Sequence, residues 1–149
     1  MNIMRIALIL LTFSCAEPTA SAPRPALSTS VAQQQDNSYS INTAERTVYV
    51  KLALVRNESG APIRLFVRRM IESADSANAR RLVVDLRSIA GGDAPLLVPL
   101  IQGIVMRGRF VQSGALVVVV GPRSFSPAQN AATLLRLYAN PIFVRELPG

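Results

Sequence analysis

The feature that most constrains this chain is a switch of hydrophobic period that recurs from residue 47 onward. Thr47 to Val55 alternates, with Val48, Val50, Leu52 and Leu54 on one side and Tyr49, Lys51 and Ala53 on the other. That is the period of a strand. Gly60 and Pro62 punctuate, and Ile63, Phe66, Val67, Met70, Ile71 and Ala74 then recur at spacings of three and four, the stripe of an amphipathic helix. Arg64, Arg68, Arg69 and Glu72 fall on its solvated side. Leu82 to Leu86 reads as a second strand, with a turn over Arg87 to Gly92. Asp93 is placed to cap the next helix, whose apolar positions are Leu96, Leu97, Leu100, Ile101, Ile104 and Val105. Pro99 inside that helix would cost about 3 kcal/mol, so the helix either begins late or kinks.

Leu116 to Val120 is a continuous apolar run, as expected of a strand covered on both faces. A helix over about 127–138 and a strand over Ile142 to Val144 complete the pattern. Strand–helix units closed by a strand predict an α/β fold, a mainly parallel sheet with covering helices and right-handed crossovers. Functional groups in such folds gather at the carboxyl ends of strands. Two turns stand there: Arg87 to Asp93, and Gly121 to Ser126.

Composition narrows the chemistry. The 149 residues, half of them hydrophobic, suffice for one domain that needs no disulfides. Cys15 is the only cysteine, which excludes a disulfide framework and a cysteine-based zinc site. The absence of histidine excludes a Ser-His-Asp triad, a Cys-His dyad and a histidine-ligated metal within these residues. No cofactor is expected. The net charge is +7, almost all of it from arginine, and Lys51 is the only lysine. The arginines are scattered, aromatics are 5% and tryptophan is absent, so nucleic acid is not the expected partner.

The amino terminus reads as an address. Arg5 precedes the apolar run Ile6 to Phe13, too short to span a bilayer, which takes about 20 residues, but suited to the core of a secretory signal. Ser14-Cys15 fits a lipoprotein box with Cys15 as the lipidated residue, and Ser14-Cys15-Ala16 fits an ordinary signal-peptidase site. Residues 1–15 are thus expected to be a signal peptide of lipoprotein type, with a periplasmic or outer-membrane-tethered product. Residues 16–46, rich in Pro, Ala, Ser, Thr, Gln and Asn, are expected to be a disordered linker, and 47–149 the folded domain.

The two turns, in order and spacing, resemble motifs of the carboxy-terminal-processing (tail-specific) serine peptidases. Asp85-Leu86-Arg87-Ser88-Ile89-Ala90-Gly91-Gly92 is similar to the family's D-L-R-x-N-x-G-G. Gly121-Pro122-Arg123-Ser124-Phe125-Ser126-Pro127-Ala128-Gln129-Asn130 resembles its nucleophile turn, G-R-x-T-F-S-A-A-x-N in one branch. Ile142 to Gly149 is similar to the strand and V-G-E-P-T-G turn that follow. The resemblance implies a crotonase-like partial core, Ser126 in the nucleophile position, Gly91 and Gly92 at the oxyanion, and an extended peptide or unfolded protein segment as substrate or partner.

The departures from those motifs bear on activity. A serine nucleophile needs a base; the family uses a lysine beyond the third motif or a histidine-containing set, and neither is present in the sequence. Lys51 matches no catalytic position and reads as a strand-face cation. Ile89 replaces the motif's asparagine, and Pro127 lacks the N–H that the family places after the nucleophile. The chain is therefore expected to be a truncated, divergent relative without turnover, or a non-catalytic envelope module that binds peptides or a partner. Ser126-Pro127-Ala128-Gln129 also fits a capping box, which would make Ser126 a helix cap. Asp85 is expected to hold its turn or pair with Arg87. Ala90-Gly91-Gly92-Asp93 lacks the Lys-Ser/Thr of a phosphate loop, and Asn57-Glu58-Ser59 is a chance sequon.

Overall fold

The computed structural model describes residues 37–58, 61–89, 91–122 and 124–146. β1 (Ser38–Asn42) and β2 (Thr47–Lys51) form an antiparallel pair with Tyr39 opposite Val50 and Ile41 opposite Val48. A short ribbon, β3 (Asn57–Glu58) with β4 (Ala61–Pro62), leads into α1 (Ile63–Ser76). β5 (Arg81–Asp85) is followed by a 3₁₀ turn (Ala94–Leu97) and α2 (Val98–Val105). β6 (Leu116–Val120), α3 (Ser126–Ala139) and β7 (Ile142–Arg145) complete the chain order. The main sheet has five strands in the order β1-β2-β5-β6-β7, and every pair after the first is parallel.

Each step from β2 to β5, β6 and β7 advances one place in the same direction. Right-handed crossovers then put the connecting helices on one face, and α1 packs on α2 and α2 on α3. Burial follows that geometry. Val48, Val50, Leu82, Val84, Leu116 and Val118 are buried with the helix stripes in one core, whereas the alternate residues Tyr49, Val83, Val117 and Val119 are half-buried. The expectation that Leu116–Val120 is covered on both faces is thus corrected. The run is uniformly apolar, but among the described residues all three helices lie on one side.

Local chemistry accounts for the element boundaries. The six apolar residues of the α1 stripe are the six that α1 buries, and Pro62 holds the N-cap position. Pro99 is accommodated by a late start. The 3₁₀ turn takes up residues 94–97, and Pro99 lies in the first turn of α2, where a missing N–H breaks no intrahelical bond. Asp93 stands at the N-cap position of the 3₁₀ turn but makes no side-chain cap. The end of α1 is tied to the segment after α2 through Asp75, which accepts from Arg107 Nε at 2.9 Å and from Arg109 Nη2.

The linker expected to reach residue 46 ends earlier. Asn37 is buried, and its side chain bonds the chain beyond β2: Oδ1 accepts the Ala53 and Leu54 N–H groups at 2.9 and 3.0 Å, and Nδ2 donates to the Leu54 carbonyl at 2.7 Å. Ser38–Asn42 then joins the sheet. Its polar alternation, Ser-Tyr-Ser-Ile-Asn, concealed a strand with one apolar face. The expected signal peptide, Cys15 and the rest of the linker lie outside the described residues. No helix among the described residues is long and apolar enough to cross a membrane.

Candidate active site

Ser124, rather than Ser126, holds the turn between β6 and α3. Its hydroxyl accepts the Gly121 N–H at 2.9 Å and donates to the Leu86 carbonyl at 3.2 Å, joining the ends of β6 and β5. The Ser124 N–H returns to the Gly121 carbonyl at 3.1 Å, and Gln129 Nε2 donates to the Ser124 carbonyl at 3.3 Å. Gly121 is confined, since a Cβ there would lie 3.3 Å from both Arg87 Cγ and Glu146 Oε2.

Ser126 is the first residue of α3, and the extended residue before it, Phe125, is the cap. The capping-box expectation is corrected. Gln129 is engaged with Ser124, and Ser126, already helical, makes no side-chain cap bond. The Ser126 side chain is exposed and makes no hydrogen bond among the described residues, where Gln129 Nε2 and the Gly121 N–H both turn to Ser124 instead. The helix start offers few donors. Pro127 has no N–H, and the Ala128 and Gln129 N–H groups both donate to the Phe125 carbonyl, at 2.8 and 3.2 Å. Among the described residues the Phe125 and Ser126 N–H groups are left without a partner, so two donors remain at this helix start.

Gly91 and Gly92 follow β5, the neighbour of β6, and the 3₁₀ turn after them packs on α3. Ser126 thus follows β6 and the glycine pair follows β5, its parallel neighbour, with Gly92 bridged to Val55 beyond the end of β2. Gly92 has its own structural duty. Its φ is +127°, and a Cβ would fall 2.2 Å from the Val55 carbonyl oxygen, to which the Asp93 N–H donates at 3.0 Å. A Cβ on Gly91 would have nothing within 4 Å. Ile89 is fully buried; the position where the motif carries asparagine belongs to the core.

Lys51 is not brought to Ser126. It is exposed at the end of β2, in register with Asp85, and β5 stands between β2 and β6. Two strand spacings amount to about 10 Å. Period-two alternation also puts Lys51, with Tyr49, on the face opposite the helices.

Asp85 holds its turn, as expected. It is 1% exposed and accepts the Arg87 backbone N–H, Arg87 Nε and Arg87 Nη2, as well as the Tyr49 hydroxyl. Burial pushes its carboxyl up, but the bonds from Arg87 and Tyr49 outweigh it and hold the pKa below the ordinary value. Tyr49 is pushed up by burial and by the neighbouring Asp85, and Arg87 is raised by the same carboxylate. Sequence reasoning missed Ser124, Tyr49 and Glu146 in this assembly. The period-two spacing of Tyr49 and Lys51 was a signal for the face they share, but their neighbours on β5 required the register. Among the described residues no cluster of acidic, cysteine or histidine side chains could hold a metal.

No family model and no curated protein matches the chain. Among solved structures it is similar to the photosystem II D1 C-terminal processing protease, with a TM-score of 0.51 and 19% identity over 65% of this chain. The chain spans 29% of that protein's length. This likeness is one of fold: an α/β arrangement found in a processing protease.

Proposed function

We propose that the chain is a relative of the tail-specific processing peptidases with a crotonase-like core, in which Ser126 occupies the nucleophile position and Gly91 and Gly92 border the oxyanion site. The observation that carries this reading is the exposed Ser126 hydroxyl at the first position of α3, without a hydrogen-bond partner among the described residues, on a fold similar to that of a processing protease. Acyl transfer would join Ser126 Oγ to a peptide carbonyl carbon and break that carbon's C–N bond, with the hydroxyl proton passing through a base to the departing amine. The sequence holds no histidine, and Lys51 stands two strands away. With Pro127 unable to donate, a second requirement weakens; one lost oxyanion donor costs about 2.7–4 kcal/mol of transition-state stabilisation. The chain as given is therefore a peptide-engaging module without turnover. Its place in the cell envelope, with Cys15 lipidated, rests on the amino-terminal sequence pattern.

The test is reaction of the purified chain with a fluorophosphonate probe. The expected result is no labelling above that of Ser126→Ala. Labelling that disappears in Ser126→Ala would show that the hydroxyl is activated and would overturn the inactive reading.

A further inference from the structure

We propose that the open edge of β7, with the groove between β7 and α3, docks an extended acidic segment of a partner protein as an added strand. The inference does not depend on Ser126.

The backbone supplies the first reason. Among the described residues β7 pairs with β6 alone, and the Glu146 N–H donates to the Val120 carbonyl at 3.0 Å. Along a parallel ladder successive residues turn their polar backbone groups to opposite sides. Ile142, Val144 and Glu146 therefore face β6, while Phe143 and Arg145 present N–H and C=O at the open edge. Such an edge is a template for another strand.

Charge selects the occupant. A groove of about 520 Å³ is lined by Ala132, Thr133 and Arg136 of α3 and by Phe143 and Arg145 of β7. The Arg136 guanidinium lies 5.0 Å from the Phe143 ring centroid. Neither arginine pairs with a carboxylate among the described residues, and no acidic residue lines the groove. Glu146, next in sequence, is on the other face with Arg87. On that face Ile142 and Val144 remain 50% and 46% exposed.

A strand added here meets cations on its helix side and apolar surface on its other side. Alternating carboxylate and β-branched residues match both. The opposite edge lacks this bias, since the groove beside β1 holds both Arg69 and Glu72.

The experiment measures fluorescence anisotropy of two labelled peptides, Glu-Val-Glu-Val-Glu and Lys-Val-Lys-Val-Lys, titrated with the full chain at low salt. The acidic peptide is expected to bind and the basic one not. The double variant Arg136→Glu/Arg145→Glu is expected to weaken acidic binding roughly tenfold. A peptide with alternate backbone nitrogens methylated tests the strand pairing on unaltered protein and is expected to lose binding. Arg69→Glu, in the groove beside β1, is expected to bind as the parent does, which assigns the binding to the β7 edge. Equal binding of both peptides, no binding of either, or a dimer formed through β7 in sedimentation would each overturn it.

Discussion

Asp85 and Arg87 close the carboxyl end of β5 on each other: the carboxylate accepts the Arg87 N–H at 3.0 Å, Nε at 3.0 Å and Nη2 at 2.8 Å. The same guanidinium reaches Glu146 at 3.5 Å, so one arginine joins the ends of β5 and β7 across Gly121. Asp85 lies on the sheet face opposite the helices, yet it is buried because Tyr49 and Arg87 cover it. The turn after β5 thus contains a structural clamp as well as glycines.

Weakening that clamp tests its contribution. Asp85→Asn keeps the shape and removes the charge, so the bonds from Arg87 lose their ionic character. The expected loss is about 2 kcal/mol, read as a lower urea midpoint with an unchanged slope. A variant as stable as the parent would mean that the buried pair only balances its own desolvation.

Asp75 sets the acid limit. Hydrogen bonds from Arg107, opposed by partial burial and supported by Arg109, hold its carboxyl at about 2, below the ordinary 3.8. Asp85 is lowered as well. A depressed folded-state pKa means that the unfolded chain binds protons first as pH falls. The stabilisation is complete above about pH 5 and is lost progressively from there down towards pH 2. The thermal midpoint is expected to decline over that window, and Asp75→Asn should flatten the decline while lowering the plateau at neutral pH.

The architecture was legible where period and burial coincide. The α1 stripe, the β5 and β6 cores and the β7 position follow from spacing alone, because each element has one apolar side or none that is polar. β1 was not legible: its apolar residues, Tyr39 and Ile41, are separated by serines, and only pairing with β2 shows that they share the core. The candidate site was half legible. Ser126 and the glycines can be placed at strand ends from sequence order, but the division of labour between Ser124 and Ser126 depends on where α3 begins. One residue of helix start decides which hydroxyl is engaged.

Gly91 and Gly92 separate structural from permissive glycine. At Gly92 any side chain meets the Val55 carbonyl and a positive φ, so Gly92→Ala is expected to cost about 3 kcal/mol. Gly91→Ala meets open space and is expected to stay within about 0.5 kcal/mol of the parent. Thermal or urea unfolding of the two variants side by side checks the contrast, and equal effects would sink it.

The two serines between β6 and α3 give the sharpest comparison. Ser124→Ala removes an acceptor from the Gly121 N–H and a donor from the Leu86 carbonyl, two bonds that join neighbouring strand ends. The Gly121 N–H then has no partner and the Leu86 carbonyl keeps only the long bond from the Ile89 N–H at 3.4 Å, a loss expected to cost about 1–2 kcal/mol in this half-buried turn. Ser126→Ala removes an exposed hydroxyl that bonds nothing among the described residues, and its expected effect is within about 0.5 kcal/mol. A capping serine would behave oppositely, since loss of a cap costs about 1 kcal/mol. Unfolding curves of the two variants therefore decide whether Ser126 is held for stability; if it is the more costly loss, its hydroxyl is engaged in the fold and is not a spare group available to a substrate.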